Sequence, residues 1–146
     1  MEEMNQLKVF TAEEANRLLP RLSEMLRDLQ EKRDRIAAME VEIDTLELVA
    51  EKKEGQTPDP LKQKVEEYNR TVQGFYALID EIHQMGCFLK DINSGLVDFY
   101  TLHNGRVVYL CWKAGEPEVA YWHEVGRGYA YRQPIVFDQD QQESSG

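Results

Sequence analysis

The chain has 146 residues, 42% hydrophobic and 30% charged, with a formal net charge of -10. That length suits one domain able to bury roughly 70% of the surface its unfolded chain exposes, and the negative charge opposes attraction to phosphate backbones or anionic lipid. Nucleic acid and membrane are therefore not expected partners. Two cysteines are too few for a disulfide framework, no apolar leader precedes residue 10 and no apolar run nears eighteen residues, which together point to a cytoplasmic protein.

Val9 and Phe10 form a short extended lead-in, and Thr11 with Glu14 has the Ser/Thr-x-x-Glu form of a capping box, so a helix should begin at Ala12. Ala15, Leu18, Leu22, Met25, Leu29, Ile36, Met39, Ile43, Leu46 and Ala50 then recur at spacings of three and four, interrupted only at Lys32. This is a heptad stripe. Pro20 falls at an outward position, where its ring and missing N–H should kink the helix.

"KKEGQTPDP", residues 52–60, stops that helix and offers Asp59 as a cap with Pro60 in the first turn of the next. Leu61, Val65, Tyr68, Val72, Phe75, Ile79 and Ile82 repeat the stripe until Gly86. Two such stripes joined by a short loop predict an antiparallel coiled-coil hairpin over residues 11–86, roughly 40 Å long. A hairpin that long overhangs a small domain, so its far end is expected to meet a second copy or a protein partner, the alternative being plain intramolecular packing of the stripe.

Beyond Gly86 the period changes to two, predicting a three- to four-stranded antiparallel β-meander over residues 87–137. Together with the hairpin this makes a single α+β domain, residues 1–137, and residues 138–146 read as a polar, disordered tail. Asn104-Gly105 is a strong hairpin signal that pairs Tyr100 with Tyr109 and Asp98 with Cys111. A turn at "AGEP", 114–117, then pairs Lys113 with Glu118, Cys111 with Ala120 and Tyr109 with Trp122, giving a third strand over 118–124. "VGRG" can return "YAYRQPIV" as a fourth.

This register sorts side chains onto two faces. Val97, Phe99, Thr101, Val108, Leu110, Trp112, Val119, Tyr121 and His123 fall on the expected core side. Asp98, Tyr100, Leu102, Val107, Tyr109, Cys111, Ala120, Trp122 and Glu124 fall on the other, an aromatic row edged by acids and suited to being covered by a partner or a small ligand.

In regular strands His123 and Glu124 point to opposite faces, and Asp98 lies about 13 Å from Glu124, so neither pair can share an ion. Cys111 has no histidine on its face in this register and reads as a small buried hydrophobe. No metal site, cofactor or catalytic set is expected; Glu116 reads as a loop acid and Arg127 and Arg132 as charge partners.

"FTAEEANRLLP", "GLVDFY", "VYLCWKAGE", "YWHE" and "GYAYRQPI" together resemble the bacterial domain-of-unknown-function family 2203. The resemblance covers nearly the whole ordered chain and implies a helical region followed by a β-rich motif block, with no established activity. It draws attention to Asp98, Phe99, Cys111, Trp112, Gly115, Glu116, Trp122, His123, Glu124 and Arg132. The expected function is an interaction or ligand-binding module, able to form a homodimer through its hairpin, with Asp98, Tyr100, Tyr109, Cys111, Glu116, Trp122, His123, Glu124 and Arg132 as binding residues. The alternative is an acid–base or metal-assisted hydrolase using Asp98, Glu116, His123 or Glu124.

Overall fold

A computed structural model describes residues 8–51 and 59–136. The residue 52–58 turn and the 138–146 tail considered above lie outside them. Two long helices, α1 (Ala12–Glu51) and α2 (Asp59–Gln84), precede β1 (Cys87–Asp91), β2 (Leu96–His103), β3 (Arg106–Lys113), β4 (Tyr121–His123) and β5 (Gln133–Pro134). The strands form one antiparallel sheet in chain order. The chain divides into two compact units, one of residues up to Leu26 and from Ile82 onward, the other Arg27–Glu81.

The helical unit, Arg27–Glu81, contains long segments of both helices. Arg35 bonds Glu67 at 2.9 Å, the Tyr68 hydroxyl donates to Glu40 at 2.8 Å and Lys64 reaches Glu42 at 3.5 Å. These cross-links run antiparallel. Leu29, Met39, Leu61 and Thr71 are buried, whereas Ile36, Ile43, Leu46, Val65 and Val72 are only half-buried. The predicted stripe thus covers itself incompletely.

The other unit holds the sheet. The capping box forms as expected: Glu14 N–H donates to Thr11 Oγ1 at 3.0 Å and Thr11 N–H to Glu14 Oε1 at 2.9 Å. α1 runs as one element through Pro20. Ahead of it, Phe10 N–H donates to Tyr100 O at 2.8 Å and the Phe10 ring meets Phe99 edge-on at 5.3 Å, which ties the start of the chain to β2. Ala15, Leu19, Leu22, Met25 and Leu26 are buried, an arc wider than a two-position stripe. Packing against a sheet requires that breadth.

Asn104 and Gly105 take φ of 55° and 78°, the double positive φ that a tight hairpin turn needs, and β2 pairs with β3 in the predicted register. The sheet gains a strand at the opposite edge that the sequence reading did not separate from its loop. β1 pairs Phe88 with Asp98 and Leu89 with Val97. Between β1 and β2 the Asp91 carboxylate accepts from Ser94 N–H at 2.8 Å and Ser94 Oγ at 2.6 Å. Gly95 closes the turn with φ 70°, and a Cβ there would sit 2.5 Å from that of Ala114.

The β3–β4 register differs from expectation by one residue. Tyr109 faces His123, Leu110 faces Trp122 and Cys111 faces Tyr121. The cause lies in the connection. Val119 is buried, and its N–H is taken by the Asn16 side chain of α1 at 2.6 Å, so residues 118–120 leave the ladder and pairing restarts at Tyr121. A one-residue shift exchanges every side chain between faces. Tyr121 and His123 consequently join Asp98 and Cys111, and Trp122 moves to the face of Val108 and Leu110. The predicted fourth strand shrinks to Gln133–Pro134, because Tyr129–Tyr131 form a 3-10 turn. A proline is tolerated in so short an edge strand.

Candidate functional site

The face created by this register carries a buried polar cluster. Asp98, Cys111 and His123 are 2%, 0% and 2% exposed, and one potential ligand atom from each lies within 4.8 Å of the others. β2, β3 and β4 supply one residue apiece: Asp98 faces Cys111 across the ladder, and His123, which faces Tyr109, lies diagonally to Cys111 on the same face.

His123 Nδ1 lies 3.0 Å from the Glu124 carbonyl, which can only accept, so Nδ1 carries a hydrogen. Nε2 lies 3.1 Å from Asp98 Oδ2. One further proton must sit between those two atoms, on Asp98 or as the second proton of an imidazolium. Burial pushes the Asp98 carboxyl above the usual carboxylate range, with the His123 charge and hydrogen bonding to His123 and Cys111 acting the other way. The second oxygen, Asp98 Oδ1, is buried without a hydrogen-bond partner. Such an atom carries a penalty of about 1–3 kcal/mol.

Cys111 is equally constrained. Burial, then the nearby Asp98 carboxylate, pushes its thiol up to about 12. It is no ready nucleophile. A Cys–His–Asp relay would need Cys and Asp on different imidazole nitrogens, whereas here Nδ1 is engaged by the Glu124 carbonyl and Nε2 by Asp98, which leaves neither for Cys111. Cys87, buried, has its thiol pushed up to about 11 by desolvation and bonds Ile82 O at 3.4 Å.

Arg132 flanks the cluster. Its side chain is 12% exposed, with Nη1 3.9 Å from Cys111 Sγ and the guanidinium carbon 3.9 Å and 4.2 Å from the ring centres of Tyr121 and Tyr129. Glu116 holds it in a two-point ion pair, Nη1 to Oε1 at 3.2 Å and Nη2 to Oε2. Burial opposes the charge on each partner, but their mutual hydrogen bonding wins, raising Arg132 and lowering Glu116. Glu116 is itself built into the loop after β3: Lys113 N–H donates to Oε1 at 2.8 Å and Trp112 Nε1 donates to the Glu116 carbonyl at 2.9 Å. Gly115, with φ 101°, permits that turn.

Beside the cluster, Tyr100 and Tyr109 stack with centroids 5.0 Å apart and planes 8° from parallel, and Phe88 meets Tyr100 edge-on at 5.0 Å. Lys90 lies 5.0 Å from the Tyr109 ring centre. Burial, then the Tyr100 hydroxyl, pushes Tyr109 up to about 12.

Of the residues singled out from sequence, Asp98, Tyr100, Tyr109, Cys111, Glu116, His123 and Arg132 gather on this face. Trp122 does not. It is buried on the opposite face with its ring 5.3 Å from that of His103. Nor does the Glu124 carboxylate, which pairs at the surface with Arg106; its carbonyl serves the site instead. Two expectations about Cys111 and His123 are thereby corrected: they share a face, and His123 lies beside Asp98. Phe88, Lys90, Tyr121 and Tyr129 were missed as parts of the site. The alternation in "CFLKD" ahead of the turn-forming "INSG" would have revealed the first two.

The fold and cluster define an α+β protein with a mixed carboxylate, thiol and imidazole centre buried on one face of an antiparallel sheet. Residues 8–135 match the family described as Uncharacterized conserved protein (DUF2203), and the chain belongs to that family. No curated protein and no solved structure matches it. Among the described residues, no helix is long and apolar enough to cross a membrane.

Proposed function

We propose that the chain is a ligand-binding module whose site is the Asp98, Cys111 and His123 cluster with its Arg132–Glu116 flank. The observation that carries this reading is Asp98 Oδ1, a buried oxygen without a hydrogen-bond partner beside two other potential ligand atoms. A buried carboxyl oxygen without a hydrogen-bond partner, next to a thiol and an imidazole, suits a ligand atom.

Native mass spectrometry of protein purified without chelator tests the reading. A bound mass should accompany wild type and disappear in Asp98→Asn, whose amide can still donate to His123 Nε2. Wild type with no adduct and a screen without hits would reject it. An acid–base or metal-assisted hydrolytic role is the alternative that the same cluster supports, centred on Asp98 and His123, since Glu116 and Glu124 are engaged by Arg132 and Arg106.

A second reading, association of copies through the helices, draws on Val41, Leu48 and Val49, which are large apolar residues exposed along α1. Light scattering on wild type and on Val41→Glu/Leu48→Glu tests it. A dimer that the double variant dissociates supports association, and a wild-type monomer at high concentration rejects it.

A further inference from the structure

We propose that Asp98, Cys111 and His123 form a binding site for a divalent transition metal of the zinc class. This inference rests on the ligand-binding reading and names the ligand.

The donor set is the first argument. One thiolate, one imidazole and one carboxylate are the three side-chain types that zinc-class ions accept, and three protein ligands leave a fourth position for water or another small donor. Metal–ligand bonds of 2.0–2.3 Å in a tetrahedron place donor atoms about 3.3–3.8 Å apart. The present atoms all lie within 4.8 Å, and Oδ2 and Nε2 are 3.1 Å apart. Small side-chain adjustments close the difference.

Orientation is the second. A metal-bound histidine ordinarily donates its other N–H to a carbonyl or carboxylate, which fixes tautomer and ring plane. His123 Nδ1 already donates to Glu124 O at 3.0 Å, which directs Nε2 toward Asp98, and the Cys111 thiol belongs to the same cluster. Arg132 Nη1, 3.9 Å from Cys111 Sγ, is placed to donate to a thiolate bound there, and Glu116 holds that arginine in place.

Charge is the third. A dication bound by the Asp98 carboxylate and the Cys111 thiolate, with neutral His123, gives a site of zero net charge. Binding displaces the thiol proton and the proton shared by Asp98 and His123 to solvent. That neutrality suits a location in which all three residues are at least 98% buried.

The test uses cobalt(II) as probe on the full chain after dialysis against chelator. Wild type is expected to bind one equivalent, giving visible d–d bands of a tetrahedral site and a near-ultraviolet thiolate-to-cobalt band, all abolished by equimolar zinc. Cys111→Ser should lose the thiolate band, Asp98→Asn should weaken binding at least tenfold, and Cys87→Ser should retain the full spectrum. Failure of wild type to bind cobalt or zinc, survival of the thiolate band in Cys111→Ser, or its loss in Cys87→Ser with the fold intact overturns the proposal. If a variant fails to fold by circular dichroism, X-ray absorption on the wild-type cobalt complex decides, one sulfur and otherwise nitrogen or oxygen neighbours being required. An organic mass that co-purifies and is lost in Asp98→Asn, with no metal bound, removes this inference and leaves the ligand-binding reading standing. No bound species of either kind removes both.

Discussion

The helical unit and the sheet unit solve the same problem of burial in different ways. In Arg27–Glu81 most stripe residues remain half-buried, and the helices are tied by surface pairs such as Arg35–Glu67, with side chains 57% and 37% exposed. Pairs of that kind contribute little. In the sheet unit the burial is so complete that it includes a carboxyl, a thiol and an imidazole. Enclosing polar groups that thoroughly is costly unless each is satisfied, and Asp98 Oδ1 is not. The unsatisfied buried polar atom lies in the sheet unit, and the helical unit keeps most of its stripe half-exposed.

The largest expected effect comes from the core that holds the site. Trp112 is 1% exposed and its Nε1 anchors the Glu116 carbonyl. Trp112→Ala should lower unfolding free energy in urea by about 3–5 kcal/mol through the cavity it leaves. A loss below about 1 kcal/mol would mean that the loop after β3 is held in some other way.

Next is Asn16, which sets the β3–β4 register by capturing Val119 N–H. Asn16→Ala should cost about 1–3 kcal/mol by leaving that amide without its partner. It should also loosen the approach to β4, seen as faster hydrogen exchange at Val119 and Tyr121 than in wild type. Unchanged exchange would remove Asn16 from the account of the register.

These two positions also mark how far the sequence could be read. Periodicity and the capping box located both helices, because a buried helical arc and a Thr11–Glu14 cap are local features. Asn104-Gly105 likewise set β2 against β3, since a two-residue turn leaves only one register. The β3–β4 register was not legible. It depends on a hydrogen bond between residues 103 positions apart, and a seven-residue connection does not dictate pairing as a tight turn does. The single-residue error separated His123 from Cys111, so the cluster was invisible although each member had been singled out. Arg132 was read correctly as a charge partner, but its acid, Glu116, and the rings of Tyr121 and Tyr129 become neighbours only through the fold.

A smaller effect follows from the Arg132–Glu116 pair. Glu116 is held below the usual carboxylate range, by hydrogen bonds from Arg132 and the Lys113 N–H against the opposing effect of burial. A lowered folded-state value means that its stabilisation is fully present above the ordinary glutamate value near 4.5 and is lost as pH falls through the lowered one. Urea melts between pH 3 and 7 should show Glu116→Gln losing less stability on acidification than wild type. Parallel curves would assign the acid response to other carboxylates.

The smallest effect should come from the helical unit. A double-mutant cycle on Arg35→Ala and Glu67→Ala should give a weak coupling that decreases further with salt. A strong coupling that salt leaves unchanged would show these helices to be held far more tightly by charge than their exposure implies.

The central claim, that the sheet brings Asp98, Cys111 and His123 together to bind a ligand, is tested most directly by a crystal structure of protein purified without chelator and supplied with zinc, with anomalous diffraction recorded at the zinc edge. The account predicts one strong peak about 2.0–2.3 Å from Cys111 Sγ, His123 Nε2 and an Asp98 oxygen, with Tyr109 paired to His123. A map without a peak there, in which Asp98 Oδ1 bonds a protein group and His123 faces away from Cys111, would contradict it.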